Sequence, residues 1–557
     1  MFEDKLAALL KQQVASQAEN DIRALLARPE LKEHGDFSFP CFSLSKLLRR
    51  SPAQIAQELA GKLERPVFID KIEAVGGYVN FFLNRTVFFE TVMLEILKQK
   101  TAFGSSGEGR GKTSLVEHTS INPNASPHIG RARNAIIGDF ITRLLRFEGY
   151  EVDVHYFVND IGKQISMLVL GSQSLKEIRF ADLLDIYVSI NQKIKDDPQL
   201  ETQVFDLLYQ LENGDEAVKK QFREIVDICI AGQSKIFNEL GIHYDCFDYE
   251  SQFLFDNSLE DITEQLQNAN LLFEDEEGRL VVNIEDRGLP PLVVTRSDKT
   301  SLYPLRDIAY TIWKARQGKD KNMIVLGQDQ QLYFQQIAAV VSALGHTPPE
   351  VVHYSFVMLV DGKMSTRQGT VVLLEDFMAE AAKKAEEEMR GRGHEVDEAL
   401  AKKIAYASVK YSMEKTSNER NVIFDWDNAL SFEGDTGPYL LYSYVRIHSI
   451  LRKTGHAVDF AALNCACLTQ EAEYDLIKAL ADFPNAVQLA KKDFSPHVIT
   501  HYAFELARKF SAFYHACAIL NAEQEAVRNA RLCLILCVKQ TFKNAFYLLG
   551  IEPIEYM

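Results

Sequence analysis

Apolar residues recur at helical spacing from the start of the chain. Phe2, Leu6, Leu9, Leu10 and Val14 share one face and predict an amphipathic helix over residues 1–27. Two further helical stretches follow His34-Gly-Asp-Phe37. Gly76-Gly-Tyr-Val-Asn-Phe-Phe-Leu83 then reads as a strand entered through glycines, closing a compact α+β unit near residue 100. The Gly/Ser-rich run Gly104-Ser-Ser-Gly-Glu-Gly-Arg-Gly111 marks a boundary. Beyond it a strand is predicted over residues 113–119 and a helix over 131–149, with Ile136, Ile137, Phe140, Ile141, Leu144 and Leu145 facing the core. Val152, Val154, Tyr156 and Val158 alternate as in a strand, so the order is strand, helix, strand, the start of a parallel sheet.

Mostly helical, acidic sequence interrupts this pattern at about residues 170–290. The sheet is expected to resume with Leu292–Thr295 and Met323–Leu326, a helix ending near Gly345, and a strand over Val352–Val360. From about residue 376 the chain reads as successive helices, with Val498, Tyr502, Leu506, Phe510 and Phe513 as one stripe, predicting a closing helical bundle.

Composition narrows the function classes. The 557 residues, 46% hydrophobic and 25% charged, suit a globular protein of several domains. No stretch approaches the ~20 uninterrupted apolar residues of a membrane span. Met-Phe-Glu-Asp-Lys-Leu has no basic segment leading into an apolar one, so a cytoplasmic location is expected. A net charge of −17 argues against indiscriminate nucleic-acid binding, but a local positive surface suffices for one RNA partner. The eight cysteines include Cys465-x-Cys467 and Cys533-x3-Cys537, neither with a partner pair at zinc spacing; reduced, packed thiols and no protein-bound metal are expected.

Two loops carry candidate chemistry. Asn122-Pro-Asn-Ala-Ser-Pro-His128-Ile-Gly130-Arg131 follows an apolar strand and opens a helix, where backbone amides and the helix dipole favour an anion. Gly130 leaves room for an adenine ring to lie on the backbone. His128 can donate a hydrogen bond to a phosphate oxygen whose charge grows in a transition state. Far downstream, Lys363-Met364-Ser365-Thr366-Arg367 places two cations between Gly362 and Gly369, suited to closing over a triphosphate. Either motif alone is ordinary loop chemistry; the pair, in this order and each after a strand, is far more specific.

Blocks along nearly the whole chain resemble the arginyl-tRNA synthetases, a family of class I aminoacyl-tRNA synthetases. They include Val116-Glu-His-Thr-Ser-Ile-Asn-Pro123 through His128-Ile-Gly-Arg-Ala-Arg-Asn134, Tyr156-Phe-Val-Asn-Asp160, Ser301-Leu-Tyr-Pro-Leu-Arg-Asp307, Gly362-Lys-Met-Ser-Thr-Arg-Gln-Gly369, Phe432-Glu-Gly-Asp-Thr-Gly-Pro-Tyr439 and the ending Leu549-Gly-Ile-Glu-Pro553. The resemblance implies a Rossmann-type α/β catalytic core with a helical insertion, an N-terminal α+β domain and a C-terminal all-α bundle. The expected domains are 1–105 (tRNA contact), 106–375 (catalysis, insertion about 170–290), 376–430 (helical stem-contact linker) and 431–557 (anticodon binding). The implied partners are tRNA(Arg), L-arginine and ATP with Mg²⁺, on a monomer. It further implies a dependence of activation on bound tRNA.

The resemblance also assigns residues. His128, Arg131, Lys363 and Arg367 would be catalytic, and His128, Gly130, Arg131, Lys363, Met364 and Ser365 would bind ATP. Glu117, Asn122, Tyr303, Asp307 and Gln330 would bind arginine, whose planar, five-donor guanidinium calls for carboxylates and hydroxyls at fixed places. For tRNA, Asn80 and Phe81 match the N-terminal contact unit, an exposed ring stacking on a base; a core position for Phe81 is the other placement its pattern allows. Arg446 and Arg452 form a basic face, and Tyr514, Arg531 and Met557 fall where the family meets the anticodon.

The chain departs from the family pattern at Arg131, in place of the second signature histidine, and at Asn124–Pro127, which lacks a lysine. Thr366 replaces a second loop lysine, and Gln330 and Gln331 stand where many relatives have histidine. A catalytically inactive RNA-binding relative, and a class I synthetase for another amino acid, are the rival readings.

Overall fold

The structure, a computed structural model, describes residues 2–14, 18–29, 31–359, 372–391, 397–454 and 458–557. Contacts divide it into two compact units. One comprises Met1–Phe103, Ile450–Asp482 and Arg508–Thr541; the other comprises Gly104–Ser449, Phe483–Ala507 and Phe542–Met557.

In the first unit, two helices, Phe2–Lys11 and Glu19–Leu25, stand where one was predicted. Phe2, Leu6, Leu9 and Leu10 are buried as the periodicity requires. Tyr78–Leu83 is the central strand of a three-stranded antiparallel sheet, between Phe37–Pro40 and Ile69–Val75. Gly76, at φ +58°, makes the turn into it.

The second unit is built on a five-stranded parallel sheet. Its spatial order is Glu350–Tyr354, Lys321–Gly327, Thr113–Glu117, Glu151–Val158, Cys246–Tyr249. The buried run Ser114–Glu117 and the buried residues Val152, Val154, Tyr156 and Val158 suit strands with both faces covered. The helix Ile129–Phe147 packs on this sheet through Ile136, Ile137, Phe140, Ile141, Leu144 and Leu145, all buried.

Three expectations need correction. The sheet resumes inside the acidic region, at Cys246–Tyr249, which pairs with His155–Val158. Leu292–Val293 instead joins a small antiparallel sheet with Leu272–Glu274 and Leu280–Val282. The stretch read as one strand over Val352–Val360 is two: Glu350–Tyr354 in the main sheet, and Val357–Leu359 paired in parallel with Val422–Phe424.

Four long helices, Gly437–Lys453, Glu471–Lys492, His497–Ala516 and Glu525–Leu548, make up most of the C-terminal sequence. The buried face of the third includes Ile499, Leu506, Phe510 and Phe513, with Ile499 in place of the expected Val498. No described helix is long and apolar enough to cross a membrane.

Candidate active site

Strand order locates the site. From Thr113–Glu117 the chain steps outward one way to Glu151–Val158, and from Lys321–Gly327 the other way to Glu350–Tyr354. The carboxyl ends of the two adjacent central strands, where the order reverses, are the usual ligand crevice of such a sheet. Glu117 ends one of these strands, and Gln328–Gln330 follows the other.

His128 is the N-cap of the helix Ile129–Phe147, so Gly130 and Arg131 lie in its first turn. The His128 imidazole is mostly buried, and burial together with nearby Arg131 lowers its pKa to about 4. It is therefore a neutral ring near pH 7. Its buried Nδ1 has no hydrogen-bond partner among the described residues. The Ile129 amide donates to Val372 O (3.1 Å) and the Leu374 amide to Pro127 O (2.8 Å). The chain just beyond Arg367 is thus laced to the His128 turn. Lys363, Met364, Ser365 and Arg367 themselves lie outside the described residues.

The turn after Glu117 is held from several sides. Thr119 (φ +73°) and Ser120 (φ +41°) adopt left-handed backbone, which is unfavourable for residues with a Cβ and persists only where surroundings fix it. Asn134 Oδ1 accepts from the Thr119 amide (2.5 Å), and Asn134 Nδ2 donates to Val325 O (2.9 Å). Tyr156 Oη accepts from the Ile121 amide (3.0 Å) and donates to Gln233 Oε1 (2.7 Å). His118, buried beneath, packs on Gly138, where an added Cβ would meet the imidazole Cγ at 2.1 Å. Gly138→Ala is therefore expected to cost about 2 kcal/mol or more of stability, read as a lower urea midpoint. An unchanged midpoint would contradict this packing.

On the crevice wall, the helix Tyr303–Arg316 presents Tyr303, Asp307, Tyr310 and Lys314 at successive turns. Tyr303 is exposed, its ring 5.3 Å from that of Tyr333. The Tyr333 hydroxyl donates to Asp307 Oδ2. Burial, aided by the charge of Glu117, pushes the Asp307 carboxyl up to about 6, against the opposing pull of Tyr333, Arg306 and Lys314. Glu117 Oε2 accepts from Lys314 Nζ, and both side chains are buried. Asn122 is exposed, donating to Gln164 Oε1 (3.1 Å), and Gln330 is exposed beside the central strand. Sequence reasoning missed Lys314 and Tyr333. Lys314 had a signal, seven residues beyond Asp307 on the same helix face; Tyr333, on another helix, had none.

The RNA-facing candidates divide. Asn80 and Phe81 are buried, with Asn80 Oδ1 accepting from Ser38 Oγ (2.8 Å), which overturns the exposed stacking ring. These neighbours lie on opposite faces of the central strand, both covered, and the half-buried Phe82 lies under the Lys71 ammonium, 5.0 Å from its ring centre. Arg531 has internal partners, donating to Glu473 Oε1 (2.7 Å) and Ala518 O (2.7 Å). Tyr514 and Arg452 are exposed, Arg446 and Met557 partly so, and Arg446 donates to Tyr442 Oη (2.8 Å).

This parallel sheet, with a His-x-Gly turn at its reversal point, defines the catalytic fold of a class I tRNA synthetase. The family described as "tRNA synthetases class I (R), catalytic domain" matches residues 92–426. The flanks match the "Arginyl tRNA synthetase N terminal domain" over 2–83 and the "DALR anticodon binding domain" over 440–557. The chain belongs to the arginyl-tRNA synthetase family. It is 34% identical to the arginine–tRNA ligase of Clostridium perfringens over 100% of both chains, and 35% identical to that of Methanococcoides burtonii over 94% of each. The solved structure of Thermus thermophilus arginyl-tRNA synthetase superposes with a TM-score of 0.83 at 28% identity, covering 100% of both chains.

Proposed function

We propose that the protein is a cytoplasmic, monomeric arginine–tRNA ligase working in two steps. Arginine's carboxylate attacks the α-phosphorus of Mg²⁺-ATP, forming arginyl-adenylate as the bond to pyrophosphate breaks. A 3′-terminal ribose hydroxyl of tRNA(Arg) then attacks the arginyl carbonyl and AMP departs. Mg²⁺ enters with the nucleotide, held mainly by its phosphates. Catalysis on this reading is positioning and charge stabilisation, without a covalent enzyme intermediate.

The observation that carries the reading is the pair of backbone bonds joining Pro127–Ile129 to Val372–Leu374 at the sheet's reversal point. It supports a nucleotide gripped from both sides: His128 as a neutral donor, Gly130 under the adenine, and Lys363, Met364, Ser365 and Arg367 from the later loop. Glu117, Tyr303 and Asp307 take the guanidinium, with Asn122 and Gln330 near its backbone end. Arg446, Arg452, Tyr514 and Met557 are the proposed RNA contacts that remain. The test is ATP–pyrophosphate exchange over a panel of amino acids, with and without tRNA. Exchange with arginine alone among them is expected; exchange with none, in a preparation that binds tRNA, would favour the inactive RNA-binding reading.

Arg131 takes the phosphate-contacting role of the missing second histidine. A guanidinium binds phosphate in a fixed bidentate geometry, and position 131 is exposed in the helix's first turn. Arg131→Ala is expected to lower tRNA-stimulated exchange by about 10–100-fold, the scale of one lost charged transition-state donor. Undiminished exchange would refute this role.

A further inference from the structure

Glu117 does not stand alone in the crevice. Its Oε2 is engaged by the Lys314 ammonium, which lies 4.4 Å from the Tyr310 ring centre and is 1% exposed. Its Oε1 has a weak contact with Ser120 Oγ at 3.4 Å. A lysine so deep is costly unless paired, and a buried carboxylate left without a partner would take up a proton.

Among the surrounding groups, the neutral Tyr310 hydroxyl also comes within hydrogen-bonding reach of Glu117, while the charged ones are paired elsewhere. Arg306 donates to the buried Glu250, and Tyr310 Oη donates to Asp248 Oδ2 (2.8 Å), which also meets His155 Nδ1 (2.7 Å). Asp307 is bonded to the neutral Tyr333 hydroxyl and lies within electrostatic reach of Arg306, Glu117 and Lys314. Taken together, Glu117, Lys314 and Asp307 therefore sum to one negative charge when all three are ionised, the complement of a single guanidinium. Without the lysine they would sum to two, and one proton would be drawn in ahead of the substrate.

We propose that Lys314 is a positioning residue for amino-acid selection: it grips Glu117 by Oε2, leaves Oε1 for the guanidinium, and sets the two-carboxylate pocket to the charge of one arginine. The proposal rests on the reading that Glu117 and Asp307 bind arginine. A guanidinium then meets a fixed oxygen on one side and Asp307 on the other, and no proton has to leave as it binds.

Lys314→Met tests this in the full-length chain with tRNA present. KM for arginine should rise about tenfold or more at pH 7 while KM for ATP stays within about twofold. KM for arginine should also become pH-dependent between pH 7 and 9, falling as pH rises, because arginine must now displace a proton. The double variant Glu117→Gln/Lys314→Met restores one negative charge and should restore the flat profile of the unaltered chain. A merely structural lysine would not move that profile, so a flat profile in Lys314→Met, or a sloping one in the double variant, overturns the proposal.

If Lys314→Met does not fold, calorimetry on the unaltered chain decides. Arginine binding at pH 7.5, in buffers of different ionisation enthalpy, should release well under half a proton per arginine, whereas release of about one proton overturns the proposal. No arginine-dependent exchange in the unaltered chain would sink the substrate reading itself, an outcome separate from failure of Lys314 alone.

Discussion

Asp307→Ala is expected to lower arginine-dependent ATP–pyrophosphate exchange by about 10³-fold or more, mainly through KM for arginine. The Asp307 carboxyl sits in a buried wall, takes a hydrogen bond from Tyr333, and faces the crevice beside Glu117. On the proposed reading, removing it leaves the guanidinium without one ionic partner, and it leaves the Tyr333 hydroxyl without its acceptor. Losses of that kind at a desolvated polar site cost about 2–5 kcal/mol. KM for ATP should stay close to its original value, since the nucleotide elements lie on other loops.

The same carboxyl sets a pH dependence. With its pKa raised to about 6, Asp307 is ionised above pH 6 and gains a proton below it. If Asp307 binds the guanidinium as proposed, binding needs the ionised form, so kcat/KM for arginine should fall about tenfold per unit as pH drops below 6. His128 should add nothing in this range, because it is already neutral above about pH 4. A pH-independent kcat/KM between 5 and 7, or a small effect of Asp307→Ala, would place the guanidinium elsewhere.

What the sequence discloses about this fold is mostly local. The alternation Val152, Val154, Tyr156, Val158 reads as a strand by its period of two, and Leu115-Val116 as the apolar centre of another. The helix from Ile129 is readable because its core stripe is long. Cys246-Phe-Asp-Tyr249 is not readable, since it is short, half polar and set among acidic helices. Its Asp248 is acceptable in a sheet only because His155 and Tyr310 reach it from distant segments. In Tyr78-Val-Asn-Phe-Phe-Leu83, period-two reasoning separates Phe81 from Phe82 but cannot say which is covered; what packs on each face of the strand decides that.

The candidate site has the same character. His128, Gly130, Glu117 and Asp307 carry motif or spacing signals. The supports that fix them are encoded in contacts across the fold, such as Tyr333 on Asp307 and Gly138 under His118. Arg531 shows the same limit: its guanidinium is paired with Glu473, 58 positions away in sequence, and no local pattern announces that pairing.

Arg133→Met is expected to destabilise the second unit by about 3–5 kcal/mol, the largest stability loss among the substitutions considered. Arg133 lies fully buried on the helix that His128 caps. Its guanidinium donates to the carbonyl oxygens of Ser355 (2.6 Å), Arg420 (2.8 Å) and Ser417 (2.9 Å). Burial lowers its pKa to about 10, so it remains charged near neutrality and each bond is charge-assisted. Methionine fills similar space but leaves these carbonyls, and that of Thr416 (3.4 Å), without this donor, at about 1–3 kcal/mol for each one that stays dry. The consequence reaches the chemistry as well. Residues 416–420 precede the strand Val422–Phe424, whose partner Val357–Leu359 runs directly into the segment carrying Lys363. Arg133 thereby ties the His128 helix to the base of the second loop, so kcat for exchange should fall along with the urea midpoint. A midpoint shift equivalent to less than about 1 kcal/mol would mean that water replaces the guanidinium, and that the two loops are held together by the Pro127–Ile129 and Val372–Leu374 bonds alone.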